Sequence, residues 1–202
     1  MDITVRLERE EDYREVENTI REAFWDVYKP GCDEHLVIHK IREREEFIKE
    51  LSFVACDEGK IVGSIICSKA KVINKKNKEF QVLSIIEVSV LPSYQNKGVG
   101  KKLMKHCMEE AKKRGYEAIV IFGEPWFYHP YGFVNAEAYN IKTELGINME
   151  EFMALELFKG ALKDVNGRFF ESPVFEVDKD ELAQFDQLFV PKEKKISDDD
   201  LF

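Results

Sequence analysis

Residues 91–100 read LPSYQNKGVG and lie where a pattern typical of a β-strand gives way to a pattern typical of a helix. Glycines at positions 98 and 100 let the backbone bend tightly and approach a ligand closely. The first amides of the following helix have no partners within it and carry the positive end of its dipole. Together these features predict a binding site for an anion such as a pyrophosphate.

Two familiar phosphate-binding motifs do not fit this turn. A P-loop requires a glycine where the chain has Gln95, and a serine or threonine where it has Lys102. A dinucleotide fingerprint requires a third glycine where the chain has Leu103. The pattern that remains is Gln-x-x-Gly-x-Gly, from Gln95 to Gly100.

Strand patterns dominate the sequence before the turn. Polar turns at 57–60 and 74–78 join three of the predicted strands into an antiparallel meander. A charged amphipathic helix is predicted over about Glu10–Phe24, and a shorter one around Leu36–Ile41. The predicted strands are Ile3–Leu7, Ser52–Cys56, Ile61–Val72 and Phe80–Leu91.

A helix and a buried strand follow the turn. Apolar residues from Val99 to Ala111 fall on one helical stripe, and Arg114-Gly115 provides a suitable C-terminal stop. Ala118–Phe122 is a short apolar run typical of a buried strand. Strand, turn, helix and strand in succession predict a parallel crossover, and hence a mixed α/β sheet.

The final third of the chain has a weaker pattern. Strands are predicted at 138–143, 153–158 and 168–177, and a mobile charged tail at 191–202. Because neither a repeat nor a long linker is visible, we expect a single domain over 1–190. Its core covers about 3–145, and 146–190 is a C-terminal extension.

Composition limits which binding partners and which cellular compartment we expect for the protein. A formal net charge of −9 disfavours nucleic-acid binding. Neither a signal peptide nor an apolar run of about 20 residues is evident, so we expect no membrane association. Four cysteines without Cys-x-x-Cys spacing suggest a reducing, cytoplasmic setting. Because His35, His39 and His106 lack ligand partners at useful spacing, we expect no metal.

The Gln95–Gly100 pattern resembles the Arg/Gln-x-x-Gly-x-Gly/Ala signature of the general-control-related N-acetyltransferases, the GNAT superfamily. Residues 87–92 are similar to the strand that precedes this signature, and Phe127-Tyr128-x-x-x-Gly132-Phe133 resembles a later family pattern. The resemblance covers roughly 3–145. Gly123-Glu124-Pro125 further resembles a subgroup of bacterial predicted acetyltransferases.

The resemblance implies a GNAT acyl-CoA N-acyltransferase fold. Such a fold has a mostly antiparallel sheet with a splayed central parallel strand pair and helices on both faces. It also implies that acetyl-CoA is the cosubstrate, with its pantetheine paired to the backbone of Val88 and Val90. The pyrophosphate would meet the backbone amides of Gln95, Asn96, Lys97, Gly98, Val99 and Gly100. A backbone amide near Val88 would polarise the thioester carbonyl.

Two side chains are candidates for proton transfer. Glu87 is a lone carboxylate in the apolar run 83–91, where burial can raise its pKa toward neutrality and suit it to act as general base. Alternatively, it binds substrate or faces the sheet surface. Tyr128 matches the tyrosine that the family often uses to protonate the departing thiolate. Alternatively, it is a packed aromatic residue among its aromatic neighbours.

The expected reaction is acetyl transfer from acetyl-CoA to a primary amine of a small molecule or peptide, by direct attack in a ternary complex. One alternative is transfer of another acyl group on the same fold. A second is a noncatalytic acyl-CoA-binding regulatory module. Residues 152–190 have no motif of their own, and we expect them to shape the acceptor side or an oligomer contact such as that of a homodimer.

Overall fold

The computed structural model describes residues 2–195, and the helices and strands below lie within that range. The strands are β1 (Ile3–Leu7), β2 (Phe53–Asp57), β3 (Lys60–Ile73), β4 (Glu79–Val90), β5 (Ala118–Phe122), β6 (Val134–Asn135), β7 (Ile141–Lys142), β8 (Phe152–Glu156) and β9 (Gly167–Phe170). The helices are α1 (Tyr13–Phe24), α2 (Glu34–Ile41), α3 (Val99–Lys113), α4 (Pro125–Tyr128) and α5 (Lys179–Asp186).

Hydrogen bonding joins the strands in the order β1-β2-β3-β4-β5-β8-β6, with β9 paired to β3 and β7. Most pairs are antiparallel, whereas β4 runs parallel to β5 with Leu83 opposite Ile119, and the two-residue β7 runs parallel to β9. The mixed α/β fold with a mostly antiparallel sheet, a parallel pair and flanking helices is therefore confirmed. The crossover through α3 makes the parallel pair possible, because parallel neighbours cannot be joined by a tight turn.

The chain divides into two compact units. Unit 1 is drawn from residues 2–66, 87–106 and 173–195. In it, α1 buries Val16 and Ile20 on one face, as its amphipathic pattern predicts. Strand β2 is almost wholly buried and pairs with β1 on one side and β3 on the other.

Residues 179–195, here called the C-terminal strap, lie against α1 and α2 within unit 1. Phe185 and Phe189 of the strap form an apolar cluster with Leu36. Asp186 accepts a hydrogen bond from Arg21 Nε at 3.0 Å, and the Trp25 indole donates to the Glu193 carbonyl at 2.8 Å. The sequence pattern did not predict α5. A mobile tail was predicted at 191–202. Lys192 donates to Glu22 of α1 and the Lys195 amide donates to Asp26, just after α1, while residues 196–202 lie outside the described residues.

Unit 2 comprises residues 67–86 and 107–172. Its core packs Val120 of β5 against Phe152 and Ala154 of β8, which runs antiparallel to β5. Here the sequence prediction needs correction. The strand expected at 138–143 is a 3₁₀ turn followed by the two-residue β7, because Asn140 has φ 57° and cannot continue a strand.

The other late strand is also shorter than predicted. Instead of reaching residue 177, β9 ends at Phe170, and a 3₁₀ turn begins at Pro173. Proline lacks an amide hydrogen and therefore cannot donate to a strand ladder. The strand predicted at 153–158 corresponds to β8.

Candidate active site

The turn between β4 and α3 has the backbone geometry that an anion-binding loop needs. Asn96 and Gly98 adopt positive φ angles of 58° and 83°, and residues 95–98 form a turn before Val99 begins α3. The side chains of residues 95–98 are exposed. Within the described chain, the amides of Asn96, Lys97 and Gly98 donate to no other group. Together with the first free amides of α3, they form a concentrated set of unpaired donors.

Side chains of the loop hold its backbone in place. Gln95 Nε2 donates to the Val90 carbonyl at 3.1 Å, and Lys97 Nζ donates to the Ser93 carbonyl at 2.8 Å. Tyr94 donates its hydroxyl hydrogen to Asp57 at 3.1 Å. These three bonds connect the loop and the residue before it to the end of β4, to Ser93 and to Asp57 at the end of β2.

Gly63 of β3 lies very close to the backbone of β4. A Cβ at this position would come within 2.6 Å of the Ser89 carbonyl oxygen, whereas 3.4 Å to Val99 Cγ1 would be an ordinary contact. A glycine at this position therefore permits the close approach to Ser89. The sequence prediction did not single out Gly63.

Glu87 lies in the same unit as the loop and is only 5% exposed. Ser64 Oγ lies 3.3 and 3.2 Å from its two carboxyl oxygens and 2.8 Å from Ser89 Oγ. Burial raises the pKa of Glu87 to about 8, although the hydrogen bonds from Ser89 and Ser64 act to lower it. A carboxyl group with such a pKa can both accept and release a proton near neutral pH.

A buried charge network in unit 1 also acts on Glu87. Glu8 raises its pKa, and Arg42 lowers it. Arg42 donates to Glu8 and, at 2.8 Å, to Glu17, which is also 2.9 Å from the His39 ring. Glu17 also accepts a hydrogen bond from Arg14 at 3.4 Å, so the two carboxylates are paired with two guanidinium groups. Burial raises the pKa of Glu8. None of these partners was predicted from the sequence, because they come from separate segments without a shared motif.

Tyr128 is held by close packing in unit 2. Its ring is 8% exposed and meets Phe127 and Phe133 edge-on, with ring centroids 4.9 and 5.4 Å away. A Cβ at Gly123 would come within 2.2 Å of the Tyr128 ring. The position of the ring is therefore fixed on several sides, as a positioned acid requires.

The predicted site residues divide between the units. Glu87, Val88, Val90 and residues 95–100 belong to unit 1, whereas Tyr128 belongs to unit 2. Val88 and Val90 are half-buried, and Glu87 and Ser89 are buried, as alternation along β4 requires.

A second arrangement, Cys32–His35–Asp186, resembles a nucleophilic triad in its spacing. Cys32 Sγ lies 3.5 Å from His35 Nδ1, and His35 Nε2 lies 3.1 Å from Asp186. Burial raises the pKa of Cys32 to about 12 and lowers that of His35 to about 4. The thiol is therefore protonated and the imidazole neutral at pH 7, so this buried cluster cannot supply a thiolate.

Residues 2–195 contain no group of three or more His, Cys, Asp or Glu side chains placed to hold a metal ion. Across the same residues, every helix is too short or too polar to cross a membrane.

Comparison with known proteins agrees with this fold. The model of the Acetyltransferase (GNAT) family matches residues 17–132. The Escherichia coli K12 protein "Uncharacterized N-acetyltransferase YhbS" is 26% identical over 132 residues, which cover 65% of this chain and 76% of that protein. "Uncharacterized N-acetyltransferase YjhQ" from the same organism is 27% identical over 97 residues, covering 48% of this chain and 53% of that protein.

Solved structures show the same fold. The crystal structure of E. coli YhbS in complex with CoA has a TM-score of 0.77 at 23% identity, covering 87% of this chain and 92% of that one. A GNAT family acetyltransferase from Brucella melitensis in complex with acetyl-CoA has a TM-score of 0.68 at 22% identity, covering 87% and 99%. The GNAT family model matches more than half of the chain, so the chain belongs to the GNAT acetyltransferase family.

Proposed function

We propose that this protein transfers an acetyl group from acetyl-CoA to a primary amine of a small molecule or peptide, within a ternary complex. The observation that carries the proposal is Glu87, a buried carboxyl group with a pKa of about 8 on the strand that leads into the amide-rich loop. A general base needs a pKa near the working pH, and an ordinary exposed glutamate does not have one.

The coenzyme half of the proposal is supported by the loop at 95–100. Its unpaired amides and positive φ angles suit a pyrophosphate, and no carboxylate belongs to the loop. The relatives solved with CoA and acetyl-CoA share the fold. Acetyl-CoA would supply an activated thioester. In this proposal the backbone of Val88 and Val90 pairs with the pantetheine, and an amide near Val88 stabilises the developing oxyanion.

Proton transfer is assigned to two side chains. As the amine nitrogen bonds to the acetyl carbon and the carbon–sulfur bond breaks, Glu87 takes the proton that leaves the nitrogen. Ser64 and Ser89 stabilise the ionised Glu87 carboxylate that accepts this proton, through their hydrogen bonds to it and to each other. Tyr128 donates its hydroxyl proton to the departing thiolate.

Four free, buried cysteines suit a reducing compartment, so we propose a cytoplasmic location.

The test is thiol release from acetyl-CoA with a panel of amines, peptides and aminoglycosides. The parent protein should release thiol with at least one amine, and mass spectrometry should find the acetylated product. Glu87→Gln should reduce turnover with that amine, and Glu79→Gln, at the exposed start of the same strand, should not. Coenzyme binding without turnover of any amine would instead support the noncatalytic binding module.

A further inference from the structure

A small cavity in unit 2 lies beside the end of β5 and is here called the β5-end pocket. Its volume is about 220 Å³. The apolar part of its lining consists of Phe122, Leu145, Ile147, Met149 and Phe169. Leu145 is 80% exposed and Ile147 is 49% exposed, so these apolar side chains surround the cavity without a protein partner that covers them. Such a surface gains free energy when an apolar group enters.

The charged part of the lining is entirely negative. Glu144 and Glu171 are the ionisable side chains of the pocket, and no cation in the described chain lies within ion-pair distance of either. The nearby Arg168 donates to the backbone carbonyl of Glu144. Burial and, to a smaller extent, the negative charge of Glu144 together raise the pKa of Glu171 to about 7. A bound cation would relieve that repulsion.

Two successive residues at the end of β5 connect the pocket to Tyr128. Phe122 lines the pocket and ends β5, and the next residue, Gly123, packs against the Tyr128 ring. Gly123 continues the strand's hydrogen bonding by donating to Glu151 at 2.9 Å. The pocket therefore lies one residue along the chain from the contact with Tyr128, the side chain assigned above to protonate the departing thiolate.

The size of the pocket limits what can enter. Pockets for drug-sized ligands measure roughly 300–1,000 Å³, so this one fits a smaller group. Apolar walls and two unpaired carboxylates suit a compact apolar group that carries a cation.

Resting on the proposed function, we propose that the β5-end pocket binds the acceptor, and that the acceptor is a small primary amine carried on a compact apolar or aromatic group. Glu171 and Glu144 attract its ammonium, while Phe122, Phe169 and Leu145 contact the apolar part.

The experiment measures binding by calorimetry, with the full chain saturated with CoA and phenethylamine as the probe. Two matched compounds separate the contributions: 3-phenylpropionate reverses the charge, and ethylamine lacks the ring. Phenethylamine should bind at least about tenfold more tightly than either one. Glu171→Gln and Glu144→Gln should each lower the affinity for phenethylamine by about three- to tenfold. Glu150→Gln, an equal charge change on the same segment but outside the pocket lining, should leave the affinity unchanged.

Each outcome decides the proposal. Equal affinities for the three compounds, no binding of phenethylamine, or parent-like affinity in both folded pocket variants would overturn it. Binding that depends on Glu171 without acetyl transfer would leave the pocket standing and refute the proposed reaction. Acetylation of other amines at rates indifferent to both substitutions would refute the pocket and leave the reaction standing.

Discussion

Gly123 and Tyr128 are packed so closely that position 123 has no room for a methyl group. Gly123→Ala should therefore displace the Tyr128 ring and lower turnover, with a smaller effect on coenzyme affinity. Steady-state kinetics and calorimetry on one preparation measure both. If displacement of the hydroxyl is the cause, combining Gly123→Ala with Tyr128→Phe should lower turnover little beyond the Tyr128→Phe variant. Additive losses would show that the two residues act separately.

Tyr128→Phe removes the hydroxyl and keeps the ring contacts with Phe127 and Phe133. Turnover should fall by about 10²-fold, the low end for general acid catalysis, because only the transition state needs the proton. Coenzyme affinity and melting temperature should change little. A lower melting temperature with normal single-turnover rates would assign Tyr128 a structural role instead.

Glu87→Gln should change the pH dependence of the rate. In the parent, activity should rise with pH until Glu87 loses its proton near its pKa of about 8. The glutamine cannot accept a proton, so the variant should lack this inflection and recover partly at high pH, where free amine is abundant. An unchanged pH–rate profile would contradict the role of base.

The same substitution should alter stability in a defined pH window. The folded pKa of Glu87 is about 8, whereas an unfolded glutamate titrates at about 4.3, so the folded state holds more protons between these values. The parent's free energy of unfolding should therefore contain a contribution that falls as pH rises through the window. Denaturant titrations should show this fall reduced in Glu87→Gln, and Glu79→Gln should retain it.

Gly98→Ala tests the loop, with Gly115→Ala as a matched control. Both glycines have positive φ angles, 83° and 81°, and open space where a Cβ would stand. Each substitution should cost about 1 kcal/mol of stability through backbone strain. Only Gly98→Ala should weaken binding of acetyl-CoA, because it alone lies in the loop. Equal affinities in the two variants would remove the assignment of the loop to phosphate.

Asp186→Ala should destabilise the protein strongly. Its side chain is 13% exposed and pairs with Arg21, which is 3% exposed. Leaving the buried guanidinium without its anion should cost about 3 kcal/mol. Urea unfolding measures the loss. As a control, removing the exposed Lys113 from its pair with Glu110 should change the free energy of unfolding little. Equal losses of stability at Asp186 and Lys113 would contradict the importance of burial.

The local sequence pattern predicted those elements whose structure depends on neighbouring residues in the chain. Alternating β1 lies at 3–7 as predicted, and the 95–100 turn lies between a strand and α3. The apolar neighbours of Glu87 along β4 favoured burial, and the sequence left exposure at the sheet surface open; in the structure Glu87 is buried. Its partners Ser64 and Glu8 could not be predicted, because tertiary pairing brings distant segments together. Helix α5 was missed because its eight residues carry few apolar positions and its stability comes from contacts with α1 and α2.

The C-terminal strap has a consequence for biosynthesis. Asp186 follows its partner His35 by 151 positions and its partner Arg21 by 165. At translation rates of about 5–20 residues per second, α1 and α2 emerge on the order of ten seconds before the strap. During that interval Leu36 lacks its aromatic cover, and Arg21 lacks its carboxylate. The nascent chain therefore offers chaperones an apolar surface beside a cation, and synthesis of the strap closes that surface.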